Sequence, residues 1–298
     1  MIEQREYSYA ELVAYLQNLA VKFPFLKLTQ LGTSVAGRPI YSAQIGIDTK
    51  KVLYAGGFHG SERLTCLVLI MFLENLCETL TDNTDFSLTN ARSALFGKSV
   101  LAVPCVNPDG YEISLNGPAT AGTYADSVRQ ILGNNEHKYW NANVRGVDIN
   151  HNFDAGFEIL KQLERQQGIT GPAPRRYGGQ APESEPETKI MADLCRNNDI
   201  LQLLAFHSQG EEIYWQYGEY TPEKSYRLAR LFETASGYKM AAPSGTASHG
   251  GFKDWFIQTF RRPGFTLEIG KGENPLPPDQ LYSIYARLYE LFLLSFAL

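Results

Sequence analysis

The chain has 298 residues, 44% of them hydrophobic and 20% charged, and carries a net charge of −5. That composition excludes a disordered chain, and the acidic balance argues against nucleic acid as a partner. The longest apolar stretch, residues 66–73, ends at Glu74, well short of the roughly 20 residues of a membrane span, so no membrane partner is expected.

Residues 1–8 are polar, with no basic region leading an apolar stretch, so no signal peptide is read and a cytoplasmic location is expected. Ser8 and Glu11 have capping-box spacing. Leu12, Leu16, Leu19 and Phe23 follow at helical intervals until Pro24 ends the helix. Leu26, Leu28 and Leu31 alternate as in a strand, and the Gly37-Arg38-Pro39 turn leads into a second strand at 40–45. Residues 51–55 form a short apolar strand stopped by Gly56-Gly57. A long apolar helix is predicted over 63–80 and a strand over 100–106. Residues 107–145 are polar and glycine-rich and predict a long surface excursion, with a second loop at 161–183. Then come a helix from Ser184 through Cys195, strands at 200–206 and 213–216, a helix at 221–236, a strand at 265–269 and a closing helix at about 279–296.

Apolar strands alternating with long helices indicate an α/β fold with helices on both sheet faces, and the early hairpin makes the sheet mixed. No Pro- or Ser-rich linker interrupts the chain, so one domain over 1–298 is expected. Cys66, Cys77, Cys105 and Cys195 sit in apolar surroundings without a CxxC pair and read as buried free thiols. In such sheets function collects beyond the carboxyl ends of the strands.

The polar residues of interest fall there. His59 follows the 51–55 strand, and Glu62 is three residues further on, within one turn of it. His207 directly follows the 200–206 strand. Two histidines and one glutamate with an open fourth position make a catalytic zinc shell; His-x-x-Glu by itself equally fits a capping glutamate beside a polar loop histidine. Glu268 ends an apolar strand, where a carboxylate is either a general base or half of a structural ion pair. Asp148 has the chemistry to fix the tautomer of a metal-binding histidine, and Arg145 to steady an oxyanion or hold a substrate carboxylate. A solvated turn would contain the same residues.

Seven pieces in order resemble the zinc carboxypeptidases of the carboxypeptidase A type, in their bacterial branch. They are Gly32-Thr-Ser-Val-Ala-Gly-Arg-Pro-Ile40, His59-Gly-Ser-Glu62, Asn107-Pro-Asp-Gly110, Arg145-Gly-Val-Asp-Ile-Asn150, Ser184-Glu-Pro-Glu-Thr188, Phe206-His-Ser208 and Phe265-Thr-Leu-Glu268. The resemblance implies a single α/β domain with a mixed, mostly eight-stranded sheet. It implies one zinc per chain on His59, Glu62 and His207, Glu268 as general base, Asp148 behind His59, and Arg145 as an oxyanion-stabilising arginine.

Two departures bear on the substrate. The family usually reads Asn-Arg where this chain has Asn150-His151, and imidazole cannot copy the bidentate grip of arginine on a terminal carboxylate. The tyrosine expected shortly before Gly250-Gly251 is also absent, and His249 stands in that segment. The segments 207–215 and 265–276 are similar to a narrower subgroup, the γ-D-glutamyl-L-diamino acid endopeptidases. That similarity implies a small murein peptide as substrate, with Asn150, His151, His249 and Lys271 as candidate contacts. The alternative is a carboxypeptidase releasing C-terminal residues from ordinary peptides.

Overall fold

The computed structural model describes residues 2–87, 89–243 and 245–298. In chain order its elements begin with α1 (Tyr9–Lys22), β1 (Leu26–Thr33), β2 (Pro39–Ile45), β3 (Lys50–Ala55) and α2 (Arg63–Asp82). A small hairpin, β4 (Asp85–Phe86) and β5 (Thr89–Asn90), leads to α3 (Ala91–Ala94), β6 (Ser99–Val103), α4 (Pro108–Asn116), α5 (Ala125–Leu132) and α6 (Phe157–Gln166). The second half contains α7 (Pro186–Arg196), β7 (Asp199–His207), β8 (Glu212–Tyr214), α8 (Lys224–Ser236), β9 (Lys239–Ala241), α9 (Phe252–Phe260), β10 (Gly264–Glu268) and α10 (Leu281–Ala297).

Eight strands form one mixed sheet in the order β1-β2-β6-β3-β7-β10-β8-β9. Its centre, β6-β3-β7-β10, is parallel, with antiparallel β1 and β2 on one side and β8 antiparallel to β10 on the other. The central strands are apolar throughout because both faces are covered. Val52, Tyr54, Leu204 and Phe206 pack with α1, α2, α8 and α10 on one face. Leu53, Ala55, Leu203 and Ala205 pack with α7 and α9 on the other. The alternation along each strand is the period of two that a pleated strand imposes.

The capping box of α1 forms as the spacing predicts, Ser8 and Glu11 each receiving the other's backbone amide. Helix α2 is long and apolar enough to cross a membrane by length and composition, but 78% of its apolar window is buried in the core. All four cysteines are buried free thiols.

Three expectations need correction. Residues 107–145 are not a bare surface excursion: they carry α4 and α5 and enclose a core of their own around Ile113, Val128 and Trp140. The polarity misled because α5 is apolar on one side only, and α4 buries polar residues, Asp109, Glu112 and Ser114, along with Tyr111 and Ile113. The 161–183 loop begins later than expected, since α6 runs to Gln166. Strand β6 stops at Val103, because Pro104 cannot donate to the ladder. Helix α9 was not foreseen; its aromatic run, Phe252 to Phe260, is interrupted by Lys253 and Asp254.

Candidate metal and catalytic site

The site forms where β3, β7 and β10 end. After β3 the chain turns through Gly57, whose φ of +63° suits glycine, and reaches His59. A Cβ at Gly60 would lie 2.1 Å from the carbonyl oxygen of Gly110, so only glycine admits the close approach that follows. Asn107 fastens this turn: its Nδ2 donates to the carbonyl oxygens of Phe58, Asn141 and Ala142. Asp109, two residues on, takes the Arg38 guanidinium at 2.6 Å in a buried pair. The Gly-Arg-Pro and Asn-Pro-Asp-Gly pieces are thus the buttress of the loop that presents His59. Glu62 then occupies the N-cap position of α2.

His207 is the last residue of β7 and lies in register with Glu268, the last of β10. Its ring stacks on Phe58 at a centroid distance of 5.2 Å. His59 Nδ1 is 2.8 Å from Glu62 Oε1, His207 Nδ1 is 3.1 Å from Glu62 Oε2, and the two Nδ1 atoms are 3.3 Å apart. All three donor groups lie within 4.8 Å of one another. Asp148 Oδ1 accepts from His59 Nε2 at 3.1 Å, which leaves the Nδ1 lone pair facing the cluster. The other Asp148 oxygen accepts from the Arg176 amide at 2.9 Å. Two imidazoles and a carboxylate converging on one point, with one histidine's tautomer fixed from behind, fit a zinc ion and leave room for a further ligand.

The electrostatics agree with a cation site. Burial alone would lower the His59 pKa, but Glu62 and Asp148 more than offset it and hold the group well above its ordinary value. Burial would raise Glu62, yet His59 and His207 pull it down to about 2. Asp148 is held below the usual carboxylate range against its burial, chiefly by His59 and His151. His207, beside the same carboxylate, is lowered by burial. Two negative carboxylates thus surround nitrogen donors that a cation would occupy in place of protons.

Glu268 opens onto a cavity of about 90 Å³ shared with His59, His207, His151, Lys253 and Tyr214. Burial and the neighbouring Glu62 push its pKa well above the ordinary glutamate value. No hydrogen bond holds its carboxylate among the described residues. The ion-pair reading of Glu268 therefore has no partner to rest on.

The structure separates the remaining candidates. Asn150 and His151 line the cavity, but Asn150 Oδ1 is engaged by the Phe252 amide at 3.1 Å, and His151 Nδ1 is 3.3 Å from the Arg176 carbonyl oxygen. His249 lines the adjoining cavity with Tyr217 and Asp254, its Nδ1 buried without a partner among the described residues. Arg145 is half exposed, with Nη1 3.4 Å from Glu185. Lys271 is a correction: it is 71% exposed, ion-paired to Glu211 at 2.8 Å, and lines neither cavity. The similarity to the endopeptidase subgroup implied a substrate contact there, but the ammonium is held at Glu211.

Lys253 was not foreseen. It is only 4% exposed, pairs with Asp254, donates to the Gln216 carbonyl oxygen at 2.8 Å and reaches the cavity wall. The signal was present: a Lys-Asp pair inside an aromatic segment is too costly to bury without a purpose.

A family model described as zinc carboxypeptidase matches residues 12–290. Gamma-D-glutamyl-L-diamino acid endopeptidase 1 of Lysinibacillus sphaericus is 36% identical over 292 residues, covering 97% of this chain and 72% of that protein. Bovine thrombin-activatable fibrinolysis inhibitor, solved with a tick carboxypeptidase inhibitor, superposes with a TM-score of 0.77 at 19% identity, over 98% of this chain and 97% of the other. The murein-tripeptide amidase MpaA from Escherichia coli O157 superposes with a TM-score of 0.55 at 19% identity, over 89% and 91%. At such identities the two structures are similar in fold.

Proposed function

Since the chain belongs to the zinc carboxypeptidase family and is a zinc metallopeptidase, we propose that it hydrolyses the amide between a γ-linked D-glutamyl group and diaminopimelate in small murein peptides. One zinc per chain is held by His59, Glu62 and His207. The observation that carries this reading is the convergence of those three donors within 4.8 Å, beside a carboxylate that no described residue engages.

When bound, zinc supplies a Lewis acid that polarises the scissile carbonyl and makes water more acidic. Glu268 does the proton work: its carboxylate takes a proton from the attacking water and then hands it to the departing amine. Asp148 keeps His59 in the tautomer with Nδ1 free. Arg145, expected at the developing oxyanion, is half exposed, pairs with Glu185 and lines no cavity at the ligand cluster, which leaves it outside that role.

Three things support the substrate. The L. sphaericus relative is named for a γ-D-glutamyl-L-diamino acid bond, and the E. coli protein for a murein tripeptide. His151 stands where the family's carboxylate-gripping arginine is expected. Lys253, a buried cation paired with Asp254, lines the cavity that Glu268 shares, which is where the leaving amine must sit and where diaminopimelate carries carboxylates. Mass spectrometry of the products from L-Ala-γ-D-Glu-meso-diaminopimelate tests the reading. L-Ala-γ-D-Glu and free diaminopimelate are expected; an intact tripeptide, or a cut at the alanyl bond, would overturn it.

A further inference from the structure

A second opening lies beside the ligand cluster. It has a volume of about 190 Å³ and is lined by Ser61, Tyr139, Asn141, Arg175, Glu273 and Asn274, with Gln209. Two serines next to the metal-binding residues are tied to its lining. Ser61, which precedes Glu62, donates to Asn141 Oδ1 at 2.6 Å. Ser208, which follows His207, donates to Asn274 Oδ1 at 2.8 Å, and Asn274 Nδ2 returns a bond to the Ser208 carbonyl oxygen at 2.6 Å. The charges on its rim are not fixed. Arg175 and Glu273 are exposed, and neither side chain pairs with the other or with any described residue. A cation and an anion thus face one small polar opening without neutralising each other.

The two openings divide the substrate. Glu268 delivers its proton to the departing amine, so the cavity it lines receives the amine half. The polar opening, which shares no lining residue with that cavity and is lined by Ser61 next to Glu62 and Gln209 two residues after His207, is left for the acyl half. A γ-linked glutamyl group keeps its α-carboxylate free, three carbons from the scissile carbonyl, whereas the backbone of an ordinary α-linked peptide has no charge there. The alanine before it ends in a free ammonium. We propose that this opening is the acyl-side recognition site and reads a zwitterion, Arg175 binding the free glutamyl α-carboxylate and Glu273 the free ammonium. The inference rests on the proposed γ-glutamyl substrate.

Binding of the acyl-side product tests it without turnover. L-Ala-γ-D-Glu, its glutamyl α-amide and its N-acetyl derivative are titrated into the zinc-loaded wild type, Arg175→Gln and Glu273→Gln by calorimetry. The wild type should bind the unmodified dipeptide about tenfold more tightly than either derivative, the low end for a charge-assisted hydrogen bond because the groups are exposed. Arg175→Gln should erase discrimination against the α-amide and keep that against the N-acetyl form; Glu273→Gln should do the reverse. Wild-type indifference to both modifications, no binding of the dipeptide, or equal weakening of all three ligands in both variants would overturn the site. Its failure is separable from that of the parent reading. A tripeptide cut normally by variants with unchanged dipeptide binding removes only this site. Arg175-dependent dipeptide binding without cleavage removes only the assigned reaction.

Discussion

Replacing Asp148 by asparagine asks one side chain to do two incompatible things. The carboxylate now accepts from His59 Nε2 at 3.1 Å with one oxygen and from the Arg176 amide at 2.9 Å with the other. Asparagine has a single acceptor oxygen. If that oxygen serves His59, the NH2 group meets the Arg176 N–H; if it serves Arg176, the NH2 group meets His59 and favours the tautomer protonated at Nδ1. In the first case the Arg176 N–H meets no acceptor, which costs about 1–3 kcal/mol; in the second His59 Nδ1 carries a proton, donated to Glu62 Oε1 at 2.8 Å, where a metal needs the lone pair. Partners behind metal-bound histidines typically contribute about 10–100-fold to metal affinity, and that loss is expected here. Urea unfolding of the metal-free protein measures the first effect, and competition with a chromophoric zinc chelator the second. Zinc affinity within twofold of wild type, together with unchanged unfolding, would refute the role given to Asp148.

Three further outcomes are expected. Glu268→Gln should keep zinc and fold while kcat falls by about 10²–10⁴; near-wild-type turnover would require another base. His207→Ala should lose stoichiometric zinc by elemental analysis, and a full complement would remove His207 from the ligand set. Glu187 is fully buried, accepts from the Val35 amide at 3.1 Å, and is pushed by burial from 4.5 up to about 7. Between those values the native state holds a proton that the unfolded chain releases, so stability falls as pH rises, by about 3 kcal/mol in all. Glu187→Gln should flatten that slope in denaturation measured from pH 5 to 8, and an unchanged slope would show that Glu187 does not titrate there.

What was legible in the sequence is what local pattern controls. The capping box at Ser8, the apolar runs of β3 and β7, and the positions of His59, Glu62, His207 and Glu268 at strand ends all follow from periodicity and from where polar residues interrupt it. The arrangement of those four needed the sheet order, because residues from β3, β7 and β10 are neighbours only after parallel crossovers. Lys253 was hidden for a related reason: its meaning depends on which face of α9 meets the cavity. Arg175 and Glu273 lie in loops nearly a hundred residues apart, with no local signal that they share an opening. Lys271 shows the converse, since the similarity that implied a substrate contact carried no sign that its ammonium is held at Glu211.

The central claim concerns which amide this metal site cuts. The direct measurement is a competition in one vessel between L-Ala-γ-D-Glu-meso-diaminopimelate and a hippuryl-amino acid, with the ratio of kcat/KM read from the rates of product release. Without the carboxylate-gripping arginine both substrates lose about 2–5 kcal/mol, or roughly 30- to several-thousand-fold, at their terminal carboxylate, and only diaminopimelate carries a second carboxylate and ammonium through which to recover it. The ratio should favour the murein tripeptide by at least the lower figure. Equal or faster release from the hippuryl substrate would contradict the assignment and make the protein a carboxypeptidase of ordinary peptides.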